Sequence, residues 1–148
     1  MRVKIELPPK FDRVSYSIPI RITDINYGNH TGNDALVSIL HETRMQWLSR
    51  HGYTELNIGG ASLIMADLSV EFKAETFYGD VITAELAISE ISKISFELYY
   101  LLSVNRNDDK VIVAKAKTGM ICFDYSARKI TTLPLAFNAM LVKMIGAE

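Results

Sequence analysis

The chain is predicted to be an α+β protein in which a curved five-stranded antiparallel sheet wraps one long central helix, with a short helix at the C-terminus. Three observations predict this. Apolar residues alternate along residues 14–22, switch to helical spacing after a loop holding two glycines, and return to alternation in four runs between residues 62 and 124. A long apolar helix needs cover, and a sheet wrapped around it is the simplest two-layer arrangement. The 148 residues suit a single domain, 1–148.

In the first run, Val14, Tyr16, Ile18, Ile20 and Ile22 share one face. Pro19 cannot donate to a ladder, so this strand belongs at an edge or beside a bulge. The loop DINYGNHTGN, residues 24–33, is rich in turn formers. A helix of about 17 residues follows, roughly 26 Å long. Its residues Leu36, Ile39, Leu40, Thr43 and Trp47 fall within about 100° of one another. Thr31, Asn33 and Asp34 suit its N-terminus, and Thr31-x-x-Asp34 is close to a capping box. Arg50 and His51 occupy the last turn, and Gly52 ends it.

Residues 62–73 then place Ile64, Ala66, Leu68, Val70 and Phe72 on one face. Residues 81–90 bury Ile82, Ala84, Leu86 and Ile88, and residues 94–104 alternate through Phe96, Leu98, Tyr100, Leu102 and Val104. After a polar turn at 105–110, a long strand runs over 111–124, and the four runs read as an antiparallel meander. Pro134 opens the final helix, with Phe137, Met140, Leu141 and Met144 at helical spacing. Apolar residues on the opposite strand faces, Leu63 with Met65 and Tyr99 with Leu101, point to burial against a second subunit.

Composition narrows the function. Apolar residues are 49% and charged residues 22%, a globular balance. Sixteen Lys and Arg against seventeen Asp and Glu leave a charge of −1, so no broad cationic field awaits nucleic acid or anionic lipid. The lone Cys122 sits in the apolar run 120–123 and reads as a small core residue, not a reactive thiol. The segment MRVKIELPPKFDRV has no apolar stretch after its basic residue, which argues against a secretory signal. No run approaches the roughly 20 residues of a membrane span. A cytoplasmic location is expected.

Three stretches resemble a known family. TDINYGNHTGNDALVSILHETRMQWL, residues 23–48, is similar to an Asp-x-Asp-x-x-Gly-His-x-Asn-Asn loop leading into a Glu-Ala-Arg helix. VEFKAETFYGD, residues 70–80, resembles a strand ending in Tyr-Gly-Asp, and residues 115–134 resemble a last strand and hairpin. This is the pattern of the hotdog-fold thioesterases, in particular the 4-hydroxybenzoyl-CoA thioesterase-like group, over about residues 14–137. The resemblance implies hydrolysis of an acyl-CoA or acyl-carrier-protein thioester by a homodimer or homotetramer, with no cofactor.

Such chemistry needs amide donors for a developing oxyanion and a group that activates water. The helix start at Gly32, Asn33 and Asp34 offers free N–H groups and a positive dipole end, and Gly32 allows close approach; these are the expected substrate-binding residues. The expected catalytic residues are Asn26, His30 and Asp24. Asn26 stands where the resembled family has its catalytic Asp, and an amide orients water or donates but cannot act as a base. Asp24 matches the first Asp of the family pair and also suits a turn. His30 lands on the family His and is a proton acceptor near neutral pH, or else a loop hydrogen-bonder. Glu42 and Asp67 are weaker candidate acids. Arg128 and Lys129 fit a carrier phosphate less well than a solvated turn. No His, Cys or Asp cluster has metal-ligand spacing. Asn26 also supports a second expectation, a non-catalytic hotdog protein that binds acyl thioesters or serves as an assembly partner.

Overall fold

The computed structural model describes residues 2–146. Strand β1 (Ser15–Pro19) leads through a single 3-10 turn (Ile22–Asp24) to helix α1 (Asn33–Arg50). There follow β2 (Ser62–Phe72), β3 (Val81–Ser89), β4 (Ser95–Arg106), β5 (Asp109–Asp124), the two-residue β6 (Lys129–Ile130) and α2 (Leu135–Ile145). The sheet thus has six strands, not the five expected. The added one is the return arm of the last hairpin, pairing Phe123 with Ile130 and Asp124 with Lys129.

The strand order is β1-β3-β4-β5-β2, all antiparallel. Only β3, β4 and β5 form a meander. β2 pairs with β5 at the far side, so the chain crosses the sheet between β2 and β3. β1 is an edge strand, as Pro19 required, but it is shorter than expected. Ile22 lies in the 3-10 turn and is exposed, while Tyr16, Ile18 and Ile20 point into the core.

Helix α1 has 18 residues and buries Leu36, Ile39, Leu40, Thr43 and Trp47, the face its spacing marked. Gly52 follows with φ 82°, a left-handed turn that costs glycine nothing. Trp47 packs edge-on against Phe96 at 6.1 Å and Phe137 at 6.3 Å, which seats α2 on the far end of α1. That end is closed by aromatic packing. The other end, where α1 begins, is left for the site.

Strand β2 departs from one-face alternation. Its pairing with β5 shifts between Met65 and Asp67, so Leu63 is buried before the shift while Leu68 and Val70 pack toward the core after it. Ile64 and Ala66 therefore do not belong to one inward row with Leu68 and Val70, and Leu63 joins the core instead of an outer face.

Candidate functional site

The loop before α1 is tied into a small hairpin. The backbones of Ile25 and Thr31 pair, Asn26 N–H donates to the His30 carbonyl at 2.9 Å, and Asn29 N–H donates to the Asn26 carbonyl at 3.1 Å. Asn29 takes φ 66°, a conformation asparagine tolerates. The Asn26 Oδ1 accepts from Gly28 N–H at 2.8 Å, the side-chain turn that suits this residue type. A Cβ on Gly28 would come within 3.2 Å of His30 Nε2, so a glycine here leaves room for the imidazole.

Asp24 is buried and turned back toward Arg21. Its carboxylate accepts from Arg21 N–H at 2.8 Å and from the Arg21 guanidinium at 3.3 Å, while its carbonyl accepts from Gly32 N–H at 3.0 Å. Thr31 does not cap the helix. Gly32 is the N-cap, no side chain caps the helix, and Leu36 N–H makes the first intrahelical bond, to Gly32. The amides of Asn33, Asp34 and Ala35 are consequently left without intrahelical partners. The Thr31 hydroxyl is used elsewhere: it accepts from Thr76 Oγ1 at 2.6 Å, and Thr31 N–H donates to the Thr76 carbonyl at 2.8 Å.

That pair of hydrogen bonds between Thr31 and Thr76 holds the hairpin against the segment after β2. The segment has its own anchor, because Arg106 Nη2 donates to the Glu75 carbonyl and to Asp80 Oδ2, each at 2.8 Å. Asp80 Oδ2 also accepts from Phe77 N–H at 2.9 Å, and the Arg106 guanidinium lies over the Phe77 ring. The Tyr78-Gly79-Asp80 stretch thus serves as a loop brace.

Between hairpin and segment lies a cavity of about 450 Å³. His30, Thr31, Gly32 and Asn33 form one wall, Phe72 to Thr76 the other, and Leu36 and Val113 the apolar floor. His30 Nδ1 is 3.2 Å from the Thr31 carbonyl and Nε2 is 3.8 Å from Glu75 Oε1.

Of the residues expected from sequence, His30, Gly32 and Asn33 meet at this cavity. Asp24, Asn26 and Asp34 support the same loop and do not line it. Glu42 is exposed on α1 with Gln46 as partner, and Asp67 sits beside Gly119 in the sheet. Cys122 is buried, with Sγ directed to the Thr132 carbonyl, and burial pushes its thiol pKa up. Among the described residues no cluster of His, Cys, Asp or Glu is arranged to hold a metal. The second wall, with Phe72, Ala74, Glu75 and Thr76, was missed. Its only signal was the likeness of residues 70–80 to a family strand end, which says nothing about which side chains face a cavity.

A model of the thioesterase-like superfamily matches residues 20–141. No curated protein matches the chain. Among solved structures, a 1,4-dihydroxy-2-naphthoyl-CoA thioesterase from Synechocystis is similar with a TM-score of 0.76 at 22% identity, over 88% of this chain and 96% of that one. A Staphylococcus aureus protein solved in complex with CoA gives a TM-score of 0.82 at 15% identity, over 98% of this chain and 90% of that one. A DHNA-CoA thioesterase from the same organism gives 0.76 at 14%, over 90% of each chain. At such identities the likeness establishes the shared fold.

Proposed function

The chain belongs to the thioesterase-like superfamily, and on that premise we propose that it hydrolyses an acyl-CoA-type thioester to the free acid and the thiol. One observation carries this most directly: the uncapped start of α1 opens beside an imidazole onto a cavity with an apolar floor. The unclaimed amide of Asn33, on the cavity wall, receives the thioester oxygen and stabilises it as negative charge develops. Gly32 has no Cβ, and the Asp34 carboxylate takes the space one would fill, with Oδ1 2.6 Å from that position. The acyl group lies against Leu36, Phe72, Ala74 and Val113.

Water is activated at His30. Its Nδ1–H donates to the Thr31 carbonyl, which leaves Nε2 as the acceptor facing the cavity. Nε2 takes a proton from water as its oxygen attacks the carbonyl, and returns that proton to the departing thiolate. Asn26 and Asp24 serve this step by holding the hairpin: Asn26 closes it under His30, and Asp24 fixes Gly32 through its carbonyl.

The carrier is CoA or an acyl-carrier protein, and the working unit a homodimer or homotetramer in the cytoplasm. β2 supports a partner, since its only neighbour strand is β5 and, beyond Leu63, whose N–H donates to the Glu55 carbonyl, its other edge is unpaired among the described residues. No helix among the described residues is long and apolar enough to cross a membrane. A second function, binding acyl thioesters without hydrolysis, draws on Asn26, which offers no carboxylate and whose side-chain oxygen already accepts from Gly28 N–H.

Thiol release from short, long and aromatic acyl-CoAs separates the two. Hydrolysis should appear with at least one of them, and His30→Ala should lower kcat about 10²- to 10⁴-fold. Asn26→Ala and Asp24→Ala should lower it less. Calorimetric binding with no turnover by the unaltered protein would leave only the binder, and full turnover in all three variants would remove this site.

A further inference from the structure

We propose that Glu75 is the second catalytic group of this site, sharing the attacking water with His30. This rests on the hydrolase function above and supplies what that function lacks, a carboxylate at the reacting centre, since Asn26 has none to offer. Three observations support it. Glu75 and His30 line the same cavity from opposite walls, and Glu75 Oε1 stands 3.8 Å from His30 Nε2. That gap is too long for a hydrogen bond and fits a water held by both atoms. The separation is also built in. The next residue on each wall, Thr31 and Thr76, makes two hydrogen bonds to the other, and Arg106 holds the Glu75 carbonyl from behind.

Charge on the surrounding elements leaves the carboxylate available. Lys73 lines the cavity but pairs with Glu71 at 2.8 Å, and Arg106 is held by Asp80. Among the described residues, His30 is the only basic side chain within ion-pair distance of Glu75. Asp34, in the first turn of α1, adds no cation.

The step balances with two groups. The water gives one proton to His30 Nε2 while its second hydrogen is held by Glu75, which aims an oxygen lone pair at the thioester carbon. The C–O bond forms, the oxyanion collapses, and the C–S bond breaks with its electron pair on sulfur. The imidazolium then protonates the thiolate, leaving free acid and thiol. Thr31 and Thr76 are positioning residues, acting through the two groups they hold.

The test uses the full chain and whichever acyl-CoA the unaltered protein hydrolyses. Glu75→Gln keeps the size of an exposed side chain and removes its charge. It should lower kcat about 10²-fold or more with KM within about threefold, because the loss falls on the transition state. His30→Gln combined with Glu75→Gln should be hardly slower than the worse single variant, as expected of groups acting as a unit. Thr76→Val should lower kcat with little change in KM, and Thr76→Ser should restore it. Glu42→Gln, on the exposed face of α1, should leave turnover unchanged. Near-normal kcat in Glu75→Gln, or multiplicative losses in the double variant, would overturn the role of Glu75 while leaving the hydrolase function in place. Absence of turnover in the unaltered protein on the whole panel would overturn both.

Discussion

Arg44 carries its charge into a nearly water-free place and keeps it because its donors are met there. Nε donates to Glu55 at 3.2 Å and Nη1 donates to the Tyr100 hydroxyl at 3.1 Å. The Tyr100 hydroxyl also shares a hydrogen bond with Thr118 Oγ1 at 2.8 Å. Burial opposes the charge of Arg44, but Tyr100 and Glu55 more than offset it and hold its pKa above the ordinary guanidinium value. Tyr100→Phe removes the acceptor without opening a large cavity. It should cost about 1–3 kcal/mol in urea unfolding, the penalty of a stranded buried donor. A loss under about 0.5 kcal/mol would show that water replaces the phenol.

Tyr16 is the opposite case, a buried hydroxyl with no hydrogen-bond partner among the described residues. Burial first, and then the negative charge of Asp12, push its pKa up to about 12, against a smaller opposing effect of Arg50. An unfolded tyrosine releases its proton near 10, so its contribution is complete below that pH and is lost as pH rises toward 12. Tyr16→Phe should therefore be neutral or stabilising at pH 7 and should flatten the decline in melting temperature above pH 10. Parallel declines in the two proteins would contradict this assignment.

At the scale of elements, the register shift in β2 decides which residues face the core. Asp67 fills the irregular stretch of ladder: its Oδ1 accepts from Gly119 N–H at 2.9 Å and lies 3.0 Å from Lys117 Nζ. A Cβ on Gly119 would sit 2.7 Å from Asp67 Oδ2 and 2.9 Å from its carboxyl carbon, so the short side chain would have to leave. Gly119→Ala should then cost about 1 kcal/mol, the worth of that hydrogen bond. The cost should shrink in an Asp67→Ala background, which a double-mutant cycle measures as coupling. Equal losses in both backgrounds would mean that Asp67 does not fill the gap. Residues 62–72 read alone put Ile64, Ala66, Leu68, Val70 and Phe72 on one face, with Leu63 and Met65 as apolar extras on the other. What breaks the alternation is the partner strand, whose glycine makes room for a carboxylate, and no local pattern in β2 reports its partner. Thr31 misled in the same manner. Its type and spacing suited a cap, but a second threonine 45 residues away claims the hydroxyl.

For the whole molecule, the period switches were enough to recover the long helix, the strands and the wrapping. They were not enough to place β2, because alternation is the same whether a strand lies beside its successor or across the sheet. That placement brings the end of β2 to the start of α1, and with it Glu75 to His30. Half of the cavity wall was legible because it is one contiguous loop, and the other half was not because strand order supplies it. The same order leaves β2 with an open edge carrying Met65 and Phe72, which are 42% and 58% exposed, and Phe72 also lines the cavity. Beyond Leu63, whose N–H donates to the Glu55 carbonyl, this unpaired edge is a template for another strand. A second copy is therefore expected along β2, covering Met65 and narrowing the cavity mouth beside Phe72. Sedimentation equilibrium should give a mass at least twice 16.6 kDa. Met65→Lys with Phe72→Lys should return the protein to one chain and lower kcat/KM, with the helical signal in circular dichroism kept. A protein that sediments as one chain at high concentration and still turns over thioester would show that a single copy completes the site.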